Sequence, residues 1–226
     1  MITISKSIAI AIDGPVASGK STVGKLVAEK LCYQFLDTGI MYRALTWLAL
    51  SSNINPEDSD ALSCLAQEAT FSFPSTENHI YINSHELAHE IYSPDVERAV
   101  SLVSAVEGVR KSLVAQQQQL AQQGSIIMVG RDICTVVLPN ADLKVFLTAS
   151  PQERSRRRRL ERAGKEVKAS FDTVLADLNR RDRIDSERAF SPLHPSKDAH
   201  IIDTDGLSAE QVADVIIALA QQIIND

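Results

Sequence analysis

The chain has 226 residues, of which 44% are hydrophobic and 23% are charged. This composition is typical of a folded globular protein and excludes collagen-like, low-complexity and disordered classes. The formal net charge of −6 argues against a general nucleic-acid or anionic-membrane binder, although it permits a local anion site. Three widely spaced cysteines, Cys32, Cys64 and Cys134, fit neither a disulfide framework nor a metal site. With no early apolar run longer than Ile8–Ile12, we expect a cytoplasmic protein that binds no membrane and no nucleic acid.

Five short apolar runs predict β-strands that are covered on both faces. They are Ser7–Ile12, Tyr33–Leu36, Ser125–Val129, Leu143–Leu147 and His200–Ile202. Helical patterns lie between them, beginning with Lys20–Leu31 and Gly39–Leu50. Strands that alternate with helices predict an α/β fold, with a five-stranded parallel sheet, flanking helices and ligands at the carboxyl edge of the strands.

Two further segments are predicted to be helical. The last helix begins with a capping box formed by Ser208 and Gln211. Its predicted buried stripe consists of Val212, Val215, Ile216, Leu219 and Ile223. The Gln-rich run at 116–123 is predicted to be an exposed helix, because glutamine is a good helix former.

The segment 71–87 departs from the alternation of strands and helices. Short alternating runs at Thr70–Phe73 and His79–Ile82 are separated by turn-forming residues. This pattern predicts a small antiparallel hairpin or a three-stranded sheet. We therefore expect a single domain over residues 1–226 that carries a β-containing insert at about residues 63–102.

Residues 14–21, GPVASGKS, fit the phosphate-binding pattern G-x-x-x-x-G-K-[ST] and lie between a predicted strand and a predicted helix. Gly14 and Gly19 allow the backbone to wrap closely and to point N–H groups at an anion, next to the positive end of the helix. Lys20 can reach the β- and γ-phosphates, and the Ser21 hydroxyl can bind Mg²⁺. The predicted donor site for a nucleoside triphosphate consists of Gly14, Pro15, Val16, Ala17, Ser18, Gly19, Lys20, Ser21 and Thr22.

A basic window lies downstream of this loop. Between Glu153 and Arg188 there are 12 basic and 8 acidic residues. Taken alone, the run ERSRRRRLER at 153–162 is typical of a solvated helix with ion pairs. After a phosphate loop, such a cluster can instead close over the triphosphate as a lid and neutralise the transferring group. The chain has no Asn-Lys-x-Asp guanine motif and is short for a mechanical ATPase, which favours a small-molecule kinase.

Six segments together resemble the bacterial cytidylate kinases, which belong to the nucleoside-monophosphate kinase group. They are IDGPVASGKST (12–22), LDTGIMYR (36–43), SLVSAVEGVR (101–110), GRDICTVVLP (130–139), FLTASPQERSRRRR (146–159) and RRDRIDSER (180–188). The resemblance covers essentially the whole chain. It implies transfer of the γ-phosphoryl group from ATP to CMP or dCMP in pyrimidine nucleotide metabolism, with Mg²⁺, a monophosphate-binding insert and an Arg-rich lid at about residues 153–168. We expect a monomer.

The chemistry of this transfer requires positive charge and in-line positioning. No general base is needed, because the acceptor phosphate oxygen is already anionic. Arg43, Arg131 and Arg188 lie in the matching segments and are predicted to hold the acceptor phosphate through bidentate guanidinium contacts. Each of them, taken alone, is also compatible with a surface ion pair. The predicted catalytic residues are Lys20, Arg131, Arg157, Arg158 and Arg188.

The resemblance implies that Ser101, Arg110 and Asp132 bind the cytosine base, and that Thr38 belongs to the acceptor site. A carboxylate accepts a hydrogen bond from N4 of cytosine, and an arginine or hydroxyl donates to N3 and O2. Uracil would place its O4 acceptor against the carboxylate, so the site would favour cytosine. The structural alternatives for these residues are a helix-surface serine, a surface arginine and an aspartate paired with Arg131.

The resemblance also implies roles for residues of two later segments. Arg181 and Asp185 match positions that contact the sugar, although their spacing also suits an i,i+4 ion pair. Arg154, Arg157 and Arg158 are implied to approach the transferring phosphates. Arg156 and Arg159 lie so close in sequence that the run does not rank its own members.

The chain departs from the family pattern at several positions, of which two concern the site. Val129 stands where the family carries Asp or Glu before Gly-Arg-Asp, and Asp37 or Asp13 is a candidate to replace that acid near the metal. Cys134 stands where glycine is usual and is predicted to be a small buried residue rather than a reactive thiol. Two other functions stay open at this stage. One is a kinase for UMP, AMP or a hydroxylated acceptor, and the other is a nucleotide-dependent switch with no small-molecule acceptor.

Overall fold

The computed structural model describes residues 7–73, 80–122, 124–163 and 170–225. The strands are β1 (Ala9–Asp13), β2 (Gln34–Asp37), β3 (Phe71–Ser72), β4 (Ile80–Ile82), β5 (His85–Leu87), β6 (Ile126–Gly130), β7 (Leu143–Thr148) and β8 (His200–Asp203). The helices are α1 (Lys20–Leu31), α2 (Thr38–Ser51), α3 (Ser59–Glu68), α4 (Pro94–Val103), α5 (Glu107–Ala121), α6 (Pro151–Ala163), α7 (Phe171–Glu187) and α8 (Ala209–Asn225). The chain divides into a first unit of residues 1–36, 121–187 and 191–226, and a second unit of residues 37–120 and 188–190.

The main sheet has five parallel strands in the order β2-β6-β1-β7-β8. β1 lies at its centre, where it pairs with β6 and β7 along its length. Ile10 and Ile12 of β1 and the preceding Ile8 are buried in an apolar cluster together with residues of α1 and α8. The five predicted strands and the α/β class are confirmed. The parallel order brings the carboxyl ends of all five strands to one edge, where ligands of such sheets bind.

Helix α8 covers the same side of the sheet as α1. Its capping box is confirmed, because Ser208 N donates to Gln211 Oε1 (2.8 Å) and Gln211 N donates to Ser208 Oγ (3.2 Å). The predicted stripe is wrong at Val215, which is 45% exposed. The buried positions of the helix are Val212, Ala213, Ile216 and Ala220. The buried stripe therefore includes Ala213 and Ala220, and the exposed Val215 lies beside it, next to Ile216.

The second unit contains a three-stranded antiparallel sheet in the order β3-β4-β5. This confirms the three-stranded alternative over the simple hairpin, although residue 79 of the predicted run lies outside the described residues. α2 packs against α3, α4 and β4, and the expected insert at 63–102 falls within this unit. The Gln-rich run is helical as far as residue 121, but Gln117 is buried on the same face as Leu113, so the prediction of an exposed helix is wrong there.

Among the described residues, the helices are too short or too polar for any of them to span a bilayer.

Candidate functional site

The loop of residues 14–19 joins the centre of the main sheet to the first turn of α1. Gly14 has φ +152°, and a Cβ atom placed there would lie 2.1 Å from the carbonyl oxygen of Leu147. Only glycine allows this close approach to β7. Gly19 caps α1 with φ +94° and has no side chain that could cap the first amides of that helix, and helix N-termini of this kind bind anions. The geometry matches the predicted phosphate loop.

Lys20 and Ser21 follow this loop in the first turn of α1. The side chain of Lys20 is buried over the loop, where Nζ donates to Pro15 O (2.6 Å) and to Ser18 Oγ (3.3 Å). Ser21 is exposed at the start of the helix. A phosphate bound by the loop amides would meet an ammonium group at the loop and a hydroxyl group at the helix end.

Two charged residues, Arg154 and Asp182, bind the backbone of the loop at Val16. Val16 N donates to Asp182 Oδ1 (3.2 Å), and Val16 O accepts from Arg154 Nη1 (3.1 Å). Arg154 and Asp182 also form an ion pair with each other. Arg154 is buried, and its Nε donates to Ala149 O (3.2 Å). Sequence reasoning missed Asp182, because no motif marks a contact between residues 166 positions apart.

A second contact holds the loop at Ser18. Arg157 Nη2 donates to Thr204 O (2.6 Å), and Nη1 donates to Thr204 Oγ1 (2.8 Å) and to Ser18 O (3.5 Å). Thr204 is buried at the end of β8, where its N–H donates to Thr148 O (2.9 Å). Thr204 is another residue that the sequence did not reveal. It links the edge of the sheet to the predicted lid helix.

The arginines of α6 differ in what they contact. Arg154 and Arg157 reach the phosphate loop, whereas Arg156 donates to Glu153 (2.7 Å) and Arg158 donates to Glu161 (2.9 Å). Hydrogen bonds from Arg156 and then Arg157 lower the pKa of Glu153 to about 2. Within the run of four arginines, Arg157 contacts the loop, while Arg156 and Arg158 contact glutamates of their own helix. Residues 164–168 of the expected lid lie outside the described residues.

A groove of about 470 Å³ lies beside this helix. Its lining includes Ser150, Glu153, Arg156, Asp205 and Gly206. A volume of this size lies within the range of pockets that hold small organic ligands. Asp205 and Gly206 directly follow Thr204, so the groove opens next to the Arg157 contacts.

Asp13 binds the residues that directly follow the Gly-Arg-Asp segment at the end of β6. Asp13 Oδ1 accepts from Ile133 N and Oδ2 accepts from Cys134 N, both at 2.8 Å. Burial raises the pKa of the Asp13 carboxyl, and the two N–H donors oppose part of that rise. Through these bonds, Asp13 orients the turn that carries Arg131 and Asp132.

The predicted acceptor residues of the first unit lie on this turn and on α7. Arg131 Nε donates to Asp185 Oδ2 (2.9 Å), so the structure brings together the β6 turn and the predicted sugar contact. Asp132, Arg181 and Asp185 are all buried polar residues. Charged side chains are rarely buried in proteins, and the β6 turn and α7 together hold these three.

Val129 and Cys134 are both buried. Val129 belongs to the apolar cluster, and its Cγ1 would be 2.7 Å from a Cβ placed at Gly24 of α1.

Asp13 and Asp37 are the two candidates to replace the missing acid at position 129. Both carboxylate oxygens of Asp13 bind backbone amides, and Asp37 Oδ1 accepts from Gly39 N (2.9 Å) as the cap of α2. Burial raises the pKa of the Cys134 thiol, in keeping with the predicted buried and unreactive residue. The described Asp, Glu, His and Cys side chains form no group of three that could bind a metal.

Arg110 and Ser101 are linked through Ser104 in the second unit. Arg110 is buried, its guanidinium lies 5.2 Å from the ring centroid of Tyr42, and its Nη1 donates to Ser104 O (3.1 Å). Ser104 Oγ donates in turn to Ser101 O (3.1 Å). These contacts give Arg110 a defined orientation at the junction of α4 and α5.

Arg43 is fixed by another group in the second unit. Its Nη1 donates to Ile91 O (3.2 Å), Nη2 lies 3.8 Å from Glu97 Oε1, and the guanidinium lies 5.3 Å from the ring centroid of Tyr92. Thr38 begins α2 and is buried, and Arg188 is buried as well. The predicted acceptor residues are therefore divided between the two units by chain segment.

Comparison with known proteins gives a consistent result along the whole chain. The cytidylate kinase family model matches residues 10–222. A cytidylate kinase from Enterococcus faecalis is 46% identical over 219 residues, which cover 96% of this chain and 95% of that protein. A cytidylate kinase from Listeria monocytogenes is 43% identical over 224 residues, which cover 99% of this chain and 100% of that protein.

Solved structures with lower sequence identity share the fold. A shikimate kinase from Bacteroides thetaiotaomicron superposes with a TM-score of 0.52 at 14% identity, over 96% of this chain and 99% of that one. A gluconokinase from Sinorhizobium meliloti gives 0.50 at 15% identity, over 97% and 95%. At this identity the likeness supports the architecture of a phosphate-loop kinase and does not extend to the acceptor.

Proposed function

The chain belongs to the cytidylate kinase family, and we infer that it is an ATP-dependent phosphotransferase that converts CMP or dCMP into CDP or dCDP, with release of ADP. The observation that carries this function is the family match over residues 10–222 together with a complete phosphate loop at the end of the central strand. The phosphate loop supports a donor site for ATP, and the family match supports CMP or dCMP as the acceptor.

In the proposed donor site, the residues of 14–22 bind the β- and γ-phosphates of ATP. Phosphate oxygens would replace Pro15 O and Ser18 Oγ as the partners of Lys20 Nζ. We place the adenine ring in the groove beside α6, which opens next to Thr204 and Arg157. This placement leaves the γ-phosphate at the loop, where the acceptor must approach it in line.

The proposed metal site uses Ser21. ATP-dependent kinases generally use Mg²⁺, an ion that keeps several waters and needs few protein ligands. The exposed Ser21 hydroxyl at the end of the loop fits this requirement, whereas both oxygens of Asp13 are bound to amides. The ion would neutralise phosphate charge, and the role of the chain would be to hold one of its coordination positions through Ser21.

The proposed acceptor site draws on buried arginines and carboxylates. Asp132 would accept from N4 of cytosine, while Ser101 and Arg110 would donate to N3 and O2. Arg181 and Asp185 would contact the sugar, a role supported by the burial of both residues and by the Arg131–Asp185 bond. Thr38, Arg43, Arg131 and Arg188 complete the proposed acceptor set.

We propose that the enzyme accelerates the transfer mainly by neutralising the negative charge on the transferring phosphoryl group. Lys20, Arg131, Arg157, Arg158 and Arg188 are the proposed catalytic residues. They would stabilise the charge that spreads over the transferring group. No side chain needs to remove a proton, because CMP presents an ionised phosphate.

We further propose a monomeric cytoplasmic enzyme in which segment 63–102 binds the monophosphate and segment 153–168 acts as a lid.

The proposal is tested by a coupled ADP-release assay over CMP, dCMP, UMP and AMP. We expect ADP release to depend on an added acceptor and to be fastest with CMP and dCMP. Faster turnover of UMP or AMP would support a kinase for another acceptor. ADP release at the same rate without any acceptor would instead support a nucleotide-dependent switch.

A further inference from the structure

The peptide groups of Val16 are held by charged side chains on both sides. Asp182 Oδ1 accepts the Val16 N–H at 3.2 Å, and Arg154 Nη1 donates to Val16 O at 3.1 Å. Since Asp182 and Arg154 also bind each other, the three residues form a closed ring of contacts. This ring binds both the N–H and the carbonyl oxygen of Val16.

Helix α7 is shaped to make this contact. Val174, Leu178 and Asp182 follow one another at intervals of four residues and therefore lie on one stripe of the helix. Val174 and Leu178 pack against Val16 in a small apolar cluster. Asp182 continues that stripe with a carboxylate, so the helix that buries the Val16 side chain also binds its backbone.

The loop needs such support because its middle residue is strained. Ala17 adopts φ +60°, a left-handed conformation that is unfavourable for a residue with a Cβ atom. The residues on either side are both anchored: Val16 through Asp182 and Arg154, and Ser18 through the contact of its carbonyl with Arg157. Strained backbone of this kind persists when the surrounding structure determines it.

We propose that Asp182 is a positioning residue for ATP binding, which acts with Arg154 to hold the phosphate loop in its anion-binding shape. An ionised carboxylate can accept from Val16 N and from Arg154 at the same time through its two oxygens. An amide at this position offers one oxygen, so one of the two donors would lose its acceptor. The inference rests on the proposed function, because it assumes that the loop binds the donor phosphates.

The experiment compares Asp182→Asn with Asp177→Asn. Asp177 lies on the same helix and pairs only with surface Arg180 among the contacts described, so it controls for the loss of a carboxylate from α7. Calorimetry measures the Kd for a non-hydrolysable ATP analogue, for inorganic tripolyphosphate and for CMP. Loss of a hydrogen bond to a charged group corresponds to roughly a tenfold to hundredfold change in an equilibrium constant.

We expect D182N to weaken the ATP analogue and tripolyphosphate by about this factor, with at most about a threefold change for CMP. D177N is expected to bind all three ligands as the wild type does. The inference is overturned if D182N binds tripolyphosphate within threefold of D177N, or if CMP affinity falls as far as donor affinity, because the latter marks a general structural defect.

A second variant covers the case in which D182N does not fold. Asp182→Glu keeps the charge for Arg154 but moves the oxygen that accepts from Val16 N, so we expect a smaller and still selective loss of donor affinity. Wild-type donor affinity in a folded D182E overturns the inference. Tripolyphosphate binding does not depend on which acceptor the enzyme uses, so a failure of the wild type to phosphorylate CMP would overturn the proposed function alone.

Discussion

Replacement of Gly14 by alanine tests whether the close approach of the loop to β7 shapes the donor site. The new Cβ would lie 2.1 Å from Leu147 O and 2.9 Å from Ser18 Oγ. The first contact is with backbone in a strand that pairs on both sides, so rotation of a side chain cannot relieve it. The loop must move by roughly 1 Å, and a displacement of that size at a reacting group costs on the order of 10²-fold in rate.

Gly124→Ala is the matched control for this substitution. Gly124 also has a positive φ, +75°, and a Cβ there would lie 2.9 Å from Ser7 Oγ, the end of an exposed side chain that can rotate away. Gly124 precedes β6, at the edge of the sheet opposite the loop. The control carries the backbone strain of about 1–2 kcal/mol without a collision against backbone. The difference between the two variants therefore measures the steric effect on the loop.

The assay measures kcat/KM for ATP at saturating CMP, together with the thermal midpoint of each variant. We expect G14A to lose about 10²-fold in kcat/KM, while G124A stays within about threefold of the wild type. A G14A enzyme with the kcat/KM of G124A would refute the argument. It would mean that the loop relaxes without disturbing the phosphate position.

Three other substitutions test separate parts of the site. Lys20→Ala should lower kcat/KM by roughly 10²- to 10³-fold while the protein stays folded, and near-normal turnover would remove Lys20 from the mechanism. Asp132→Ala should narrow the preference for CMP over UMP in paired assays, and an unchanged ratio would show that the base is recognised elsewhere. Glu153→Gln should remove a stabilising effect that is fully present above pH 4.5 and is lost as the pH falls towards 2, because Arg156 and Arg157 lower the pKa of Glu153 from 4.5 to about 2. Urea unfolding from pH 7 to 3 should show a difference in the free energy of unfolding between wild type and variant that is constant down to pH 4.5 and becomes smaller below it. A difference that grows on acidification would contradict the assignment.

The main sheet could be predicted because each of its strands is a short apolar run bounded by polar or turn residues. The final helix was predicted from its capping box, and the observed reciprocal bonds of Ser208 and Gln211 confirm that signal. The error at Val215 arises because helical periodicity gives the width of a buried stripe, but the neighbours that cover a helix decide which positions at its border are buried. The error at Gln117 arises because the helix propensity of glutamine predicts a helix but not which of its faces is covered.

The candidate site was predictable where it is local in sequence. Residues 14–21 carry their own pattern, whereas Asp182 and Thr204 contact the loop through packing across more than 160 positions. The arginines of α6 show the same limit. Arg154 and Arg157 share a helix face because they are three residues apart, but only the packing of α6 shows that this face meets the loop.

Direct transfer of the γ-phosphoryl group from ATP to the phosphate of a cytidine monophosphate can be followed by phosphorus NMR of the wild-type enzyme with ATP, Mg²⁺ and CMP. We expect loss of the γ-phosphate signal with matched growth of ADP and CDP and no inorganic phosphate. Inorganic phosphate in place of CDP, or ATP that persists unchanged in the presence of CMP, would contradict it.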